Sequence, residues 1–321
     1  MTLHQTIDPA RTQAAPPIRA TRAQFMAADD KAMLRVARDL TKGLGEAKPA
    51  IYWTDMLVSA GVGYAGIATA ILSANLAVQV TAGLIAALAM YRALMFIHEL
   101  THIHRDALPG FRTGWNLLVG IPLLTPSFMY EGVHTIHHKR TQYGTVEDPE
   151  YLPLALMKPW SLPLFVAVAL LAPVALLVRF GVLYPLGLVI PAVRTFTWER
   201  FSALSINPVF RRKAPEGDFV GRVRWQQAGA SLWAVALIAS TFVIGWKPLA
   251  IALSILSLTA LLNQLRTLVA HLWENEGEAM TVTAVPRQRE CATAWAGGRN
   301  LGAGGFALSR TASPDAVDAL S

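Results

Sequence analysis

The sequence has very little cysteine and little charge. Cys291 is the only cysteine among 321 residues, which excludes an intrachain disulfide and a metal cluster held by thiolates. Only 15% of the residues are charged, 53% are hydrophobic, and the mean hydropathy is +0.38. This balance excludes an ordinary soluble globule and is typical of an integral membrane protein.

The sequence also has no flavin, haem or iron–sulfur motif. Its glycine pairs at 297–298 and 302–305 follow no predicted strand, so they are not a dinucleotide fingerprint. The formal net charge of +7 comes from basic blocks that lie between apolar runs. We therefore interpret the positive charge as orientation in a membrane and predict no nucleic-acid partner.

Four apolar runs have about the 20 residues that a membrane-spanning helix needs: 56–76, 77–97, 225–245 and 248–270. Two further runs contain prolines. Residues 115–128 are too few to cross and are predicted to form a shallow or re-entrant segment. Residues 159–193 are predicted to form a hairpin of two short or tilted helices. The predicted fold is an all-α integral membrane protein with about four core transmembrane helices and this extra hairpin or re-entrant segment.

The first 50 residues are predicted to be a polar arm with an interfacial helix, because apolar residues recur there at helical spacing: Met33, Val36, Leu40 and Leu44. An ordinary surface helix is the alternative. These 50 residues contain eight Lys and Arg, whereas the turn after the first span has none. The positive-inside rule therefore predicts a cytoplasmic N-terminus, and it places residues 194–224 in a cytoplasmic loop.

Six of the eight histidines lie between residues 98 and 138. They include two blocks with the spacing of one helix face: His98 and His102, then His134, His137 and His138. Imidazole suits iron, copper, nickel and zinc, so five converging rings predict a transition-metal site on the cytoplasmic side. The alternative is a set of histidines satisfied at a helix surface.

Two other histidines lie outside these two blocks. His104 lies about 200° around the helix from His102, so we predict that it is outside the ligand set. His271 ends the last apolar run on the same membrane face as the two blocks. It is predicted to be either a ligand or an interfacial anchor.

The segments HELTH (98–102), HTIHH (134–138), YGT (143–145) and EDPEY (147–151) resemble the membrane fatty acid desaturase superfamily, which includes alkyl hydroxylases and carotenoid-modifying enzymes. The resemblance covers about residues 50–280. It implies a non-haem di-iron centre, O2 as co-substrate and attack on an unactivated C–H bond. It also implies the metal ligands, which are His98, His102, His134, His137 and His138, with His271 as an additional histidine.

Several polar residues are candidates to support these ligands, because metal-bound imidazoles usually donate their second N–H group to a carboxylate or carbonyl. The candidate carboxylates are Glu99, Glu131, Glu147 and Asp148. Solvated loop acids are the alternative, and for Glu147 that alternative is favoured. Asn263 could bind a metal-bound water, or it could contribute to helix packing.

The sequence departs from the family pattern after about residue 284. The resemblance leads us to expect an HxxHH box there, but no histidine follows His271. We therefore divide the chain into an arm (1–50), a desaturase-like membrane domain (51–284) and an irregular tail (285–321). We expect that the tail comes from a shifted reading frame or a natural truncation, and that the second iron lacks ligands.

The predicted function is an O2-dependent desaturase acting on an acyl chain, with its activity impaired by the missing box. Breaking a methylene C–H bond needs an oxidant that no side chain supplies. Electrons must come from an external donor such as a ferredoxin or a cytochrome. The alternatives are a hydroxylase or ketolase of the same superfamily, acting on alkyl chains or carotenoids, and a non-enzymatic metal-binding membrane protein.

Overall fold

The computed structural model describes residues 32–37, 39–40, 47–104, 106–139, 141–271, 273 and 277. The predicted tail at 285–321 lies outside the described residues, as does most of the predicted arm. Residues 32–37 and 39–40 are helical, in agreement with a helix in that region. Met33, Val36 and Leu40 are exposed on it, as a membrane-facing surface requires, and the membrane contact itself stays a prediction.

All regular structure in the described residues is helical, which confirms the predicted fold class. The α-helices are α1 (Pro49–Leu72), α2 (Leu76–His102), α3 (Phe111–Trp115), α4 (Val133–His137), α5 (Ser161–Val168), α6 (Ala172–Val178), α7 (Tyr184–Val189), α8 (Pro191–Phe201), α9 (Asp218–Ile244) and α10 (Lys247–Ala270).

Five helical stretches in the described part of the chain are long and apolar enough to cross a membrane: α1, α2, the run Ser161–Val189, α9 and α10. Their outer surfaces carry large apolar side chains, such as Leu72, Phe242 and Val243. Lipid can cover these side chains, whereas the backbone polar groups are satisfied within each helix. The chain is therefore a multi-pass membrane protein.

Four of these stretches correspond to the predicted spans, and two of them extend beyond the predicted bounds. α2 continues through His102, and α9 begins at Asp218, seven residues before the predicted start. α1 and α2 approach closely because small residues lie between them. A Cβ atom on Gly63 would lie 2.6 Å from the Met90 side chain, and one on Gly66 would lie 2.9 Å from the Ala82 carbonyl.

The predicted hairpin of two short or tilted helices at 159–193 is wrong, because most of this segment is a single helix. Residues Ser161–Val189 form one helical run, and the chain reverses at Ile190. α8 then returns beside α7, within the region that was predicted as a loop. Prolines do not break this run in two because Pro173 and Pro185 occupy the first two positions of α6 and α7, where no helical N–H donor is required. Pro191 begins α8, after the reversal.

The proline-containing segment at 115–128 folds into the protein, as predicted for a shallow or re-entrant segment. A π-helical turn at Asn116–Gly120 continues α3, and a 3-10 turn follows at Ser127–Met129. Asn116 is fully buried, and its side chain bonds to Ser127 at both the backbone N–H and the hydroxyl. This segment leads the chain from the end of α2 to the second histidine block.

Candidate metal centre

The two histidine blocks meet because two short stretches of helix end at the same place. α2 carries His98 and His102 on its last turn. Gly132, with φ of 78°, allows a sharp entry into α4, which carries His134 and His137 and is followed by His138. The predicted convergence of the two blocks is confirmed.

The structure sorts the histidines into two donor groups. His98, His102, His134 and His138 form the four-histidine group, and His137, Glu150 and His271 form the mixed group. Within each group, one ligand atom from every residue lies within 4.8 Å of the others. The second block therefore contributes ligand atoms to both groups: His134 and His138 to the four-histidine group, and His137 to the mixed group.

In the four-histidine group, three Nε2 atoms converge. The Nε2 atoms of His102 and His138 lie 3.0 and 2.8 Å from Nε2 of His134. The opposite nitrogen of His134, Nδ1, lies 2.8 Å from the Oε1 atom of Glu150. A carboxylate only accepts, so Nδ1 carries the proton and Nε2 presents its lone pair to the other rings.

In the mixed group, hydrogen bonds also direct the Nε2 atoms inward. The Nδ1 atom of His137 donates to both carboxylate oxygens of Asp148, at 3.0 and 2.9 Å. The Nδ1 atom of His271 donates to the Thr267 carbonyl at 3.0 Å. Each Nε2 atom is therefore left as a lone-pair donor that faces Glu150, at 3.9 Å for His137 and 2.7 Å for His271.

Backbone hydrogen bonds hold the Asp148 side chain in the position from which it orients His137. Its side chain is 1% exposed, and it accepts hydrogen bonds from the backbone N–H groups of Gly144 and Glu150, both at 2.8 Å. Asn207 donates to the Asp148 carbonyl at 2.9 Å. Such buried carboxylates set the tautomer and ring orientation of metal-binding histidines. The geometry thus places Asp148 in the supporting position that was predicted for it.

The charge states of most of the groups suit a cation. The exception is His137: burial lowers its pKa, but the nearby carboxylates of Glu150 and Asp148 outweigh burial, so the pKa is raised and a metal must displace a proton from this ring. Burial, together with the neighbouring imidazoles, lowers the pKa of His138 to about 3, and burial also lowers the pKa of His134. Neutral imidazole is the form that binds metal. Burial raises the pKa of Glu150, but nearby His137 and the hydrogen bond from Nδ1 of His134 outweigh it, so the pKa falls well below its usual value.

Several predicted residues lie elsewhere. The His104 side chain is 81% exposed, and the residue belongs to neither group, in agreement with its predicted exclusion. Glu131 pairs with Arg112 and Arg222 at 3.3 and 3.0 Å. Glu147 is exposed. Asn263 is also exposed and lies two helical turns before His271, so the structure does not bring it to either group.

Glu99 has a weaker link to the site. Its Oε1 atom lies 3.5 Å from Nδ1 of His98, and its Oε2 atom accepts a hydrogen bond from Tyr52 at 3.3 Å. The side chain is 45% exposed. The position allows Glu99 to orient His98, but with less constraint than Asp148 imposes on His137.

Two residues of the site were missed by sequence reasoning. Glu150 lies in the EDPEY segment, but only Glu147 and Asp148 of this segment were predicted to support the ligands. The Tyr130 hydroxyl donates to Glu150 Oε1 at 3.0 Å and lies 2.7 Å from His134 Nδ1. Tyr130 precedes His134 by four residues, so helical spacing could have indicated it. The spacing of Glu150 to the histidines gives no such signal.

The donor set fits iron. Imidazole and carboxylate together are typical ligands of non-haem iron, and thiolate is not needed. The convergence of Nε2 lone pairs is an electrostatic cost that a bound cation removes. The residues present could therefore hold metal in both groups, with the imidazoles of His98, His102, His134, His137, His138 and His271 directed inward.

Comparisons with known proteins agree with this chemistry. The family model described as Fatty acid desaturase matches residues 74–300. A protein named Ceramide hydroxylase from Caulobacter vibrioides (strain NA1000 / CB15N) is 46% identical over 262 residues, which cover 79% of this chain and 73% of that protein. No solved structure gives a significant match. From the extent of these matches, the chain belongs to the fatty acid desaturase family, whose members include both desaturase and hydroxylase types.

Proposed function

We propose that the protein is an O2-dependent hydroxylase that acts on the hydrocarbon part of a ceramide-like lipid. The observation that carries this proposal is the convergence of six histidines in two adjacent donor groups. Three of them lie at the ends of the membrane helices α2 and α10, and three lie on or just after the short helix α4. A lipid chain in the membrane can reach such a position. The similarity to a ceramide hydroxylase favours insertion of oxygen over removal of hydrogen.

When iron is bound, it supplies the activation of O2 that no side chain provides. The chain's own residues hold and orient the ligands. Asp148 and the Thr267 carbonyl fix the Nδ1 protons of His137 and His271, so both Nε2 atoms face the centre. Burial of His134 and Asp148 limits access of bulk water, which keeps these hydrogen bonds strong.

The balanced reaction converts one C–H bond and O2, with two electrons and two protons, into one alcohol and one water. The electrons come from an external one-electron carrier, such as a ferredoxin or a cytochrome. We place its docking site on three exposed basic residues: Lys139, which follows the second histidine block, and Arg211 and Lys213, in the loop whose Asn207 bonds to the Asp148 carbonyl. We place this face in the cytoplasm. An acidic carrier should then reduce the protein more slowly as salt rises.

A desaturase is the second candidate, because the family model carries that description. It would use the same donor groups and the same electron supply. The lipid would lose two hydrogens to form a double bond, and both oxygen atoms would leave as water. The two reactions therefore differ in whether oxygen from O2 remains in the lipid.

The test is a reconstitution in lipid vesicles with iron, a reduced ferredoxin and isotopically labelled O2. One set of vesicles contains ceramide, and a matched set contains a phospholipid with the same acyl chain. We expect mass spectrometry to show one labelled oxygen atom in ceramide. Loss of two hydrogens without label would support the desaturase. Iron binding without any lipid product would support a non-enzymatic metal-binding protein.

We also propose that residues from about 285 onward come from a shifted reading frame and that the rate of lipid oxidation is lowered, but not abolished, as a result. The support is the change in composition after Ala284 and the lack of a histidine after His271, whereas the match to the family model continues to residue 300. The coding DNA after the His271 codon, read in all three frames, should contain an HxxHH box in another frame. A coding sequence with no such box would contradict this proposal.

A further inference from the structure

Glu150 contacts both donor groups, although the histidine pattern gives no reason for a carboxylate there. We propose that its two oxygen atoms have different roles: Oε2 is an anionic metal ligand in the mixed group, and Oε1 orients His134 for the four-histidine group. This inference rests on the proposed function, because it presupposes that the centre binds iron.

The contact between Glu150 and His271 is the first argument. The Thr267 carbonyl only accepts, so the neutral ring of His271 carries its proton on Nδ1 and a lone pair on Nε2. That Nε2 atom lies 2.7 Å from Oε2, which is also an acceptor. Two acceptors at this distance repel each other unless a cation lies with them. The same holds, at longer range, for Nε2 of His137.

The burial of Glu150 is the second argument. Its side chain is 8% exposed, and an ionised carboxylate at such a position requires compensating positive charge. The closest side-chain neighbours of its oxygens are three imidazoles and the Tyr130 hydroxyl. A metal ion shared with His137 and His271 would supply the positive charge without protonating either ring.

The position of Oε1 completes the assignment. It accepts from Nδ1 of His134 at 2.8 Å and from the Tyr130 hydroxyl at 3.0 Å. These bonds saturate this oxygen and hold the His134 ring so that Nε2 faces His102 and His138. Glu150 thereby links the two groups through a single rigid side chain, and the centre has seven donors among the described residues instead of six imidazoles.

The experiment compares iron binding by the full-length protein, Glu150→Gln and His271→Ala in detergent. Iron-57 is added under anaerobic conditions, bound iron is counted by mass spectrometry, and each iron environment is resolved by Mössbauer spectroscopy. Glutamine keeps the shape and one acceptor oxygen but removes the anionic ligand. We expect Glu150→Gln to lose about half of the bound iron. The lost Mössbauer component should be the one that His271→Ala also loses.

Two further variants control this comparison. Glu147→Gln changes an exposed carboxylate in the same segment and should bind iron as the unmodified protein does. Glu150→Asp keeps the charge and should retain more iron than Glu150→Gln. Equal losses in the aspartate and glutamine variants, or an unchanged spectrum in Glu150→Gln, would overturn the role of Glu150. An unmodified protein that binds no iron would instead overturn the proposed function.

Discussion

The four-histidine group and the mixed group differ in how far apart their residues lie in the chain. The four-histidine group draws its donors from two short helical stretches, and the closest pair between them, His102 and His134, is 32 positions apart. The mixed group joins His271 to Glu150, which lies 121 positions earlier in the chain. Local helical spacing therefore builds most of the first group, whereas the second depends on where α10 packs.

The difference implies that the two groups can be disturbed separately. The mixed group needs the 141–151 loop, held by Asp148 and Asn207, and it needs α10 to be docked on α2. The four-histidine group needs only the meeting of α2 and α4. His134 and Glu150 are the points at which the groups touch. Removal of the His134 ring should affect both groups, whereas Glu150→Gln keeps an acceptor oxygen for His134 and should affect mainly the mixed group.

The largest effect is expected for His134→Ala, which removes the ring at the centre of the four-histidine group. Its Nε2 atom faces two other rings, and its Nδ1 atom bonds to Glu150 of the mixed group. We expect iron content to fall below roughly a tenth of the unmodified value. His104→Ala is the control because that side chain is exposed. Equal iron loss in both variants would contradict the assignment.

Glu131→Gln tests the ion-pair network that Glu131 forms with Arg112 and Arg222. Glu131 is largely buried between Arg112 and Arg222, and Arg112 also bonds to the Leu100 carbonyl near the end of α2. Removal of the charge takes an anionic partner from both arginines and should cost about 3 kcal/mol of folding free energy. Thermal unfolding in detergent would measure this, with exposed Glu216→Gln as the control. Similar melting temperatures for both variants would refute the role of this network.

Asp148→Asn should weaken the mixed group selectively. The asparagine amide oxygen is a weaker hydrogen-bond acceptor for the Nδ1–H group of His137 than the carboxylate is. The NH2 group of the asparagine also places a donor where the backbone N–H groups of Gly144 and Glu150 now donate. We expect iron affinity at that group to fall by roughly 10- to 100-fold. Titration with iron would show one weakened and one unchanged binding step. If both steps weakened equally, the two groups would not be separable in this way.

Thr259→Val is expected to have the smallest effect. The Thr259 hydroxyl lies on α10, is buried and bonds to the Ala87 carbonyl of α2 at 3.2 Å. Loss of this bond should cost about 1 kcal/mol of folding free energy and displace His271 slightly. The melting temperature and the Mössbauer component of the mixed group should both change. Ser254→Ala, at an exposed position on α10, should change neither.

The sequence alone predicted the helical membrane architecture and the convergence of five of the histidines. Apolar runs of the required length can only be satisfied as helices in a bilayer, which is why four predicted spans recur as α1, α2, α9 and α10. The spacing of His98 and His102, and of His134 and His138, places each pair on one helix face. These features depend on residues a few positions apart, so they can be recognised in the sequence.

The tertiary structure decided the rest. The separation of His137 from its block, the reversal at Ile190 and the position of Glu150 follow from contacts between distant segments. Helical periodicity carries no information about which helix packs against which, or about which loop carboxylate becomes buried. Asp148 and Glu150 look alike in the sequence, but only the fold directs one to support a histidine and the other toward both donor groups.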